Sequence, residues 1–134
     1  MRIMFLSHLP ENPRAKERYA KIQAQLDGYA SAGTQVELCF PDDYSGAKLS
    51  LNLGARNEVP GIYHALQTPA IIRKIVWAEK NGYDAVVQSN TFDPGVEAAR
   101  QAVRIPVIGV FRTALHAAAV LSSSIAIIAP SKST

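Results

Sequence analysis

Strand-like runs and helix-like segments take turns along this 134-residue chain, and that strict alternation admits few folds. Arg2 to Leu6 reads as a first strand, ended by Ser7-His8-Leu9-Pro10. Asn12-Pro13 opens a helix whose apolar positions Ala15, Tyr19, Ile22, Leu26 and Tyr29 recur at steps of three and four, and Gly33 stops it. Gln35 to Phe40 alternates Val36, Leu38 and Phe40 with polar partners, as a half-buried or edge strand does. Thr68-Pro69 opens a second helix, with Ile71, Ile72, Ile75 and Val76 facing the core and Asn81-Gly82 closing it. A strand over 84–88, a helix from Pro94 to about Val103 and a strand from Pro106 to Val110 follow. A helix from Thr113 to Leu121 and a fifth strand from Ser124 to Ala129 complete the pattern. This order predicts an α/β fold: a doubly wound parallel sheet with helices on both faces and right-handed crossovers.

Residues 41–61 interrupt the rhythm with Pro41, Asp42, Asp43, Gly46, Asn52, Gly54, Asn57, Pro60 and Gly61. A connection that long inside one domain is usually a lid, a binding loop or disordered. The chain has the size of one ordinary domain and can bury roughly two-thirds of its unfolded surface. We read residues 1–121 as that domain. Residues 122–134 read as the first strand of a second half, apparently truncated at Thr134, because no helix follows to cover that strand.

Several classes are excluded as expectations. No apolar run reaches the roughly 20 residues of a membrane helix, and Met1 to Ser7 is too short an apolar stretch for a signal peptide. The net charge of +3 is dispersed; its densest group, Arg14, Lys16, Arg18 and Lys21, is interleaved with Glu17 on one helix, as on a solvated face. Neither a nucleic-acid nor a membrane partner is expected. The single cysteine, Cys39, leaves no intramolecular disulfide and no multi-cysteine metal site. A soluble cytoplasmic protein is the economical reading. There is no Gly-rich phosphate loop and no cluster of His, Cys and carboxylates, so neither cofactor nor metal is expected.

The most informative stretch is Tyr83-Asp84-Ala85-Val86-Val87-Gln88-Ser89-Asn90-Thr91-Phe92-Asp93-Pro94-Gly95-Val96. Asp93 is placed to cap the following helix, with Pro94 at its first position, where a missing N–H costs nothing. Ser89, Asn90 and Thr91 then lie at the carboxyl end of a buried strand, beside the positive end of a helix. In open α/β sheets that crevice is where ligands bind.

Tyr83 to Val87, then Asp93-Pro94-Gly95-Val96-Glu97-Ala98-Ala99-Arg100, then Ile105-Pro106-Val107-Ile108-Gly109 leading to Ala114-Leu115-His116-Ala117-Ala118, together resemble the aspartate/glutamate/hydantoin racemase superfamily. The resemblance covers residues 60–129; residues 1–59 fit by the order of strands and helices. It implies two similar α/β halves with the site between them, and cofactor-independent proton exchange at a carbon next to a carbonyl. In that chemistry a cysteine from each half works one face of a planar, enolate-like intermediate, and hydrogen-bond donors hold the carboxylate or imide oxygens. The implied ligand is a small carboxylate or imide, such as aspartate, glutamate, a hydantoin or a maleate-like diacid.

The chain departs from that pattern where it matters most. Against the aspartate-racemase pattern Cys-Asn-Thr, Ser89 takes the cysteine's place; against the hydantoin-racemase pattern ending in Asp-Pro-Gly, Asn90 takes it. An unassisted serine or asparagine is not a competent base near neutral pH. His8, whose side-chain type titrates near neutrality, is the candidate replacement, although a loop histidine is often only solvated. Ser89, Asn90 and His8 are thus the candidate catalytic residues. Ser7, Asn90, Thr91, Arg112 and Thr113 are the candidate substrate-binding residues, all at the same sheet edge. Arg112 pairs well with a carboxylate in principle, and a cation at a helix start is otherwise unfavourable. Tyr63 and His64 read as part of the long loop's rim, His116 as a packed or capped core histidine, and Cys39 as a small buried hydrophobe. Three functions compete: an isomerase of this superfamily, a non-catalytic binder of a small anion, and a half-enzyme completed by homo-oligomerisation.

Overall fold

A computed structural model of the chain describes residues 1–42 and 60–128, with side chains from residue 65 onward in the second stretch. In chain order the elements are β1 (Arg2–Leu6), a 3-10 turn (Pro13–Ala15), α1 (Lys16–Tyr29), β2 (Gln35–Cys39), α2 (Pro60–Lys80), β3 (Ala85–Gln88), α3 (Val96–Ala102), β4 (Val107–Gly109) and α4 (Val110–Leu121). Asn12 does open the first helical segment: its side chain accepts from the Arg14 N–H at 3.0 Å, with Pro13 next in line.

The four strands form one parallel sheet in the order β2-β1-β3-β4. The alternation of side chains separates two faces. Met4, Leu6, Val86 and Val107 share one face, where Ile71, Ile75 and Ala78 of α2 and Val96 and Ala99 of α3 close over them. Burying each larger aliphatic side chain stabilises the fold by about 1.5–3 kcal/mol. On the opposite face Leu38 pairs in register with Phe5. There α1 lies alongside β2, with the Tyr19 and Phe40 rings 4.6 Å apart. Helices therefore cover both faces, as in a doubly wound fold.

β2 is an edge strand, and α1 covers its open edge. The Gln23 carboxamide donates to the Val36 carbonyl at 2.7 Å and accepts from the Leu38 N–H at 2.8 Å. This satisfies backbone groups that would otherwise be free to pair with another strand.

Several boundaries differ from the sequence reading, each for a physical reason. α2 begins at Pro60, not at Thr68, and Pro69 lies inside it on the exposed side. Its missing N–H deprives Ala65 of an i+4 donor, but the burial of Ile71 and Ile75 holds the next turns in place. Most of the long 41–61 connection lies outside the described residues. Tyr29 is 84% exposed and does not belong to the α1 stripe. α4 starts at Val110, three residues before Thr113. Residues 124–128 form no strand, since they pair with none of the described strands, and Ile125, Ile127 and Ile128 are exposed. His116 is exposed, not packed, because no described element covers that side of α4. No helix among the described residues is long and apolar enough to cross a membrane.

Candidate functional site

The chain steps from β1 to β2 on one side, then crosses back over β1 to reach β3. That reversal makes the carboxyl ends of β1 and β3 the topological switch point of the sheet, where strand ends diverge and leave a crevice. Register fixes what meets there. Leu6 lies between Cys39 and Gln88, and Gln88 lies beside Gly109. The Ser89 N–H donates to the Leu6 carbonyl at 2.9 Å, and the Ser7 N–H to the Cys39 carbonyl at 2.8 Å. Ser7 and His8 leave β1 at this edge, and Ser89, Asn90 and Thr91 leave β3 beside them.

The loop after β3 is held by its own polar groups. Asn90, only 7% exposed, donates its N–H to Gln88 Oε1 at 2.9 Å and accepts the Phe92 N–H on its Oδ1 at 2.9 Å. Thr91 is exposed, Ser89 is half-buried, and Ser7 Oγ accepts from the Leu9 N–H at 3.2 Å. His8 is half-buried and engaged in contacts of its own.

Asp93 does not cap the helix that follows it. α3 starts at Val96, after Gly95 in a left-handed conformation at φ 77°, and Asp93 itself has φ 50°. This puts the Asp93 carboxylate across the sheet edge, where it accepts from the N–H groups of Phe111 at 3.0 Å and Arg112 at 2.8 Å. It caps α4. A carboxylate of the protein thus already holds the first donors of that helix, the groups most suited to an anionic ligand. The Arg112 guanidinium is paired with Glu97, so a ligand carboxylate would have to share or displace that partner. Thr113 is exposed one residue further on.

Cys39 ends β2 at the same sheet edge, but its side chain packs against the core beneath, with its sulfur 3.7 Å from the Tyr83 hydroxyl. Burial pushes its thiol pKa up, the opposite of what a reactive thiolate needs. Tyr63 and His64 lie outside the residues whose side chains are described. An open groove of about 270 Å³ lies on the outer flank against β2, lined by Tyr19, Gln23, Leu38 and Phe40 with Glu11 and Lys16 at its rim. None of the switch-point residues lines it. Among the described residues no three His, Cys, Asp or Glu side chains converge to hold a metal ion.

Sequence reasoning located the edge but missed two of its parts. Gln88 ends an otherwise apolar strand and is fully buried, and a polar residue in that position was the available signal. The reach of Asp93 to α4 carried no local signal, because its partners lie far along the chain.

Fold and site together define a doubly wound α/β protein whose polar side chains gather at the β1/β3 switch point. Residues 17–134 match the family described as Asp/Glu/Hydantoin racemase, and the chain belongs to that family. Among solved structures it is similar to allantoin racemase from Klebsiella pneumoniae, with a TM-score of 0.67 and 22% identity. That match covers 90% of this chain and 43% of the racemase chain, so the present chain spans less than half of that protein's length. None of the curated proteins matches the sequence.

Proposed function

We propose that this chain binds a small carboxylate or imide at the β1/β3 switch point and serves cofactor-independent proton exchange at the carbon next to a carbonyl. The observation that carries the reading is the convergence of Ser7 and His8 from β1 with Ser89, Asn90 and Thr91 from β3 on one sheet edge. Family membership supplies the reaction class. In this reading Ser7, Ser89, Asn90 and Thr91 hold ligand oxygens, while Arg112 and Thr113 form the outer rim. His8 is the base, since a histidine side chain can take and return a proton near neutral pH. A second copy of the chain supplies the opposite acid/base face. The exposed α4, with Val120 at 85% and Leu121 at 86% exposure, supports such a homo-oligomer. The cytoplasm is the proposed compartment.

One observation favours a second reading. Serine and asparagine stand where the family resemblance places a thiol, and Cys39 is turned into the core. A non-catalytic small-anion binder, or an inactive half-enzyme, fits those substitutions.

Proton NMR in D2O separates the two. Loss of the α-proton signal of aspartate, glutamate or a substituted hydantoin in the presence of the chain, abolished by His8→Ala, is the expected result. A folded sample that exchanges none of them, yet binds one, leaves the binder.

A further inference from the structure

Asp93 has φ 50°, in the left-handed region that few residues other than glycine enter. The turn sends its side chain away from α3, the helix it precedes, and toward α4. There the carboxylate accepts the N–H of Phe111 at 3.0 Å and of Arg112 at 2.8 Å. A carboxylate suits that place because it offers acceptors alone to two donors. Gly109 supplies the room, since a Cβ there would overlap the carboxylate.

The backbone of the same residue holds the loop after β3. The Asp93 N–H donates to the Asn90 carbonyl at 3.1 Å. Asn90 in turn donates to Gln88 Oε1 and accepts the Phe92 N–H on its own Oδ1, each at 2.9 Å. Hydrogen bonds therefore run from the last residue of β3, through Asn90 and Asp93, to the first turn of α4. Residues 89–91 belong to neither strand nor helix, so contacts of this kind set their place. We propose that Asp93 is a positioning residue for the ligand site: its carboxylate fixes the 89–91 loop against the head of α4. It touches no ligand itself; it sets where Ser89, Asn90 and Thr91 stand for the oxygens of one. The inference rests on the ligand site proposed above. A binding constellation must be held to within about 0.5 Å, and a loop does this less well than a helix unless it is tied to one.

The test is titration of the intact chain with hydantoin and with L-aspartate, followed by the backbone amide signals of residues 89–91. It is run at a temperature where circular dichroism shows every variant folded. Asp93→Asn keeps one acceptor oxygen and a side chain that tolerates the left-handed region, and Asp93→Ala keeps neither. Gly109→Ala crowds the carboxylate while leaving Asp93 in place. Ile75→Val loosens the buried core on α2 and serves as the control for lost stability. Affinity is expected to fall from the parent to Asp93→Asn and again to Asp93→Ala. The loss for Asp93→Ala is roughly three- to tenfold, the worth of one misplaced ligand hydrogen bond. Gly109→Ala weakens binding in the same direction, and Ile75→Val binds as the parent does. If the folded Asp93 and Gly109 variants bind as tightly as the parent, or Ile75→Val loses as much as they do, the inference falls and the ligand site stands. If the parent binds neither compound, both fall.

Discussion

A Cβ placed on Gly109 would lie 2.3 Å from the carboxylate carbon of Asp93. Gly109 has φ −92°, so glycine is needed there for space, not for backbone freedom. The Asp93 carboxylate rests on that bare backbone and caps α4 through Phe111 and Arg112. Gly109→Ala is expected to destabilise the fold by about 1–3 kcal/mol through overpacking, and Asp93→Ala by about 1–2 kcal/mol through loss of the cap. Both act on one contact, so the double variant should lose less than the sum in urea denaturation. Strict additivity would show that the two residues do not meet in solution.

The Gln23 carboxamide protects the open edge of β2 by serving one donor and one acceptor of that strand. Gln23→Ala removes both bonds, each worth about 0.5–1.5 kcal/mol net. The expected outcome is a loss of about 1–3 kcal/mol and faster concentration-dependent aggregation, followed by light scattering. A variant as soluble and as stable as the parent would show that the edge needs no cover.

Glu37 links the stability of the sheet to pH. A hydrogen bond from the Tyr83 hydroxyl, and then one from the Arg2 guanidinium, hold its carboxyl below the ordinary value of 4.5. A depressed carboxyl pKa contributes stability above the unfolded value and loses it as the pH falls through the folded value. Glu37→Gln should therefore cost most near neutrality, and its deficit should shrink on acidification below about pH 4.5. On the alkaline side, burial and then Glu37 raise the Tyr83 pKa, so its contribution is present below 10.0 and fades as the pH climbs above that value. Denaturation midpoints across pH for the parent, Glu37→Gln and Tyr83→Phe check both limbs. Parallel curves would remove this cluster from the pH response.

The layout was legible in the sequence because periodicity records which face of each element is buried: Met4 and Leu6 alternate with Ile3 and Phe5, and Ile71 and Ile75 recur one turn apart. What local pattern misled on is what distant contacts decide. Pro69 looks like a helix start, yet packing carries α2 through it. Residues 124–128 have strand composition, but a strand exists only with a partner, and they pair with none of the described strands. The switch-point edge followed from the order of elements alone, so the placement of Ser7, Ser89 and Asn90 together at that edge was legible before their contacts were known. The Asp93 cap and the Gln88 carboxamide depend on side-chain reach, which spacing does not encode.

Restoring a thiol is the most direct question to ask of the site, and the loop geometry ranks the two ways of doing so. Asn90 Oδ1 holds the Phe92 N–H, so Asn90→Cys removes an acceptor from the loop and is expected to cost about 1 kcal/mol. At Ser89 the backbone N–H makes the sheet contact to Leu6, and the Gln88–Asn90–Phe92 bonds do not involve its side chain. Ser89→Cys thus exchanges a hydroxyl for a thiol of ordinary pKa near 8.5 while leaving the loop intact. It should raise deuterium incorporation at the α-carbon of a bound carboxylate or hydantoin above the parent level, and more than Asn90→Cys does. Incorporation by Asn90→Cys alone would assign the family's thiol position to residue 90 and move the reacting carbon toward Phe92. No incorporation by either folded variant would leave this sheet edge a binding site without proton chemistry of its own.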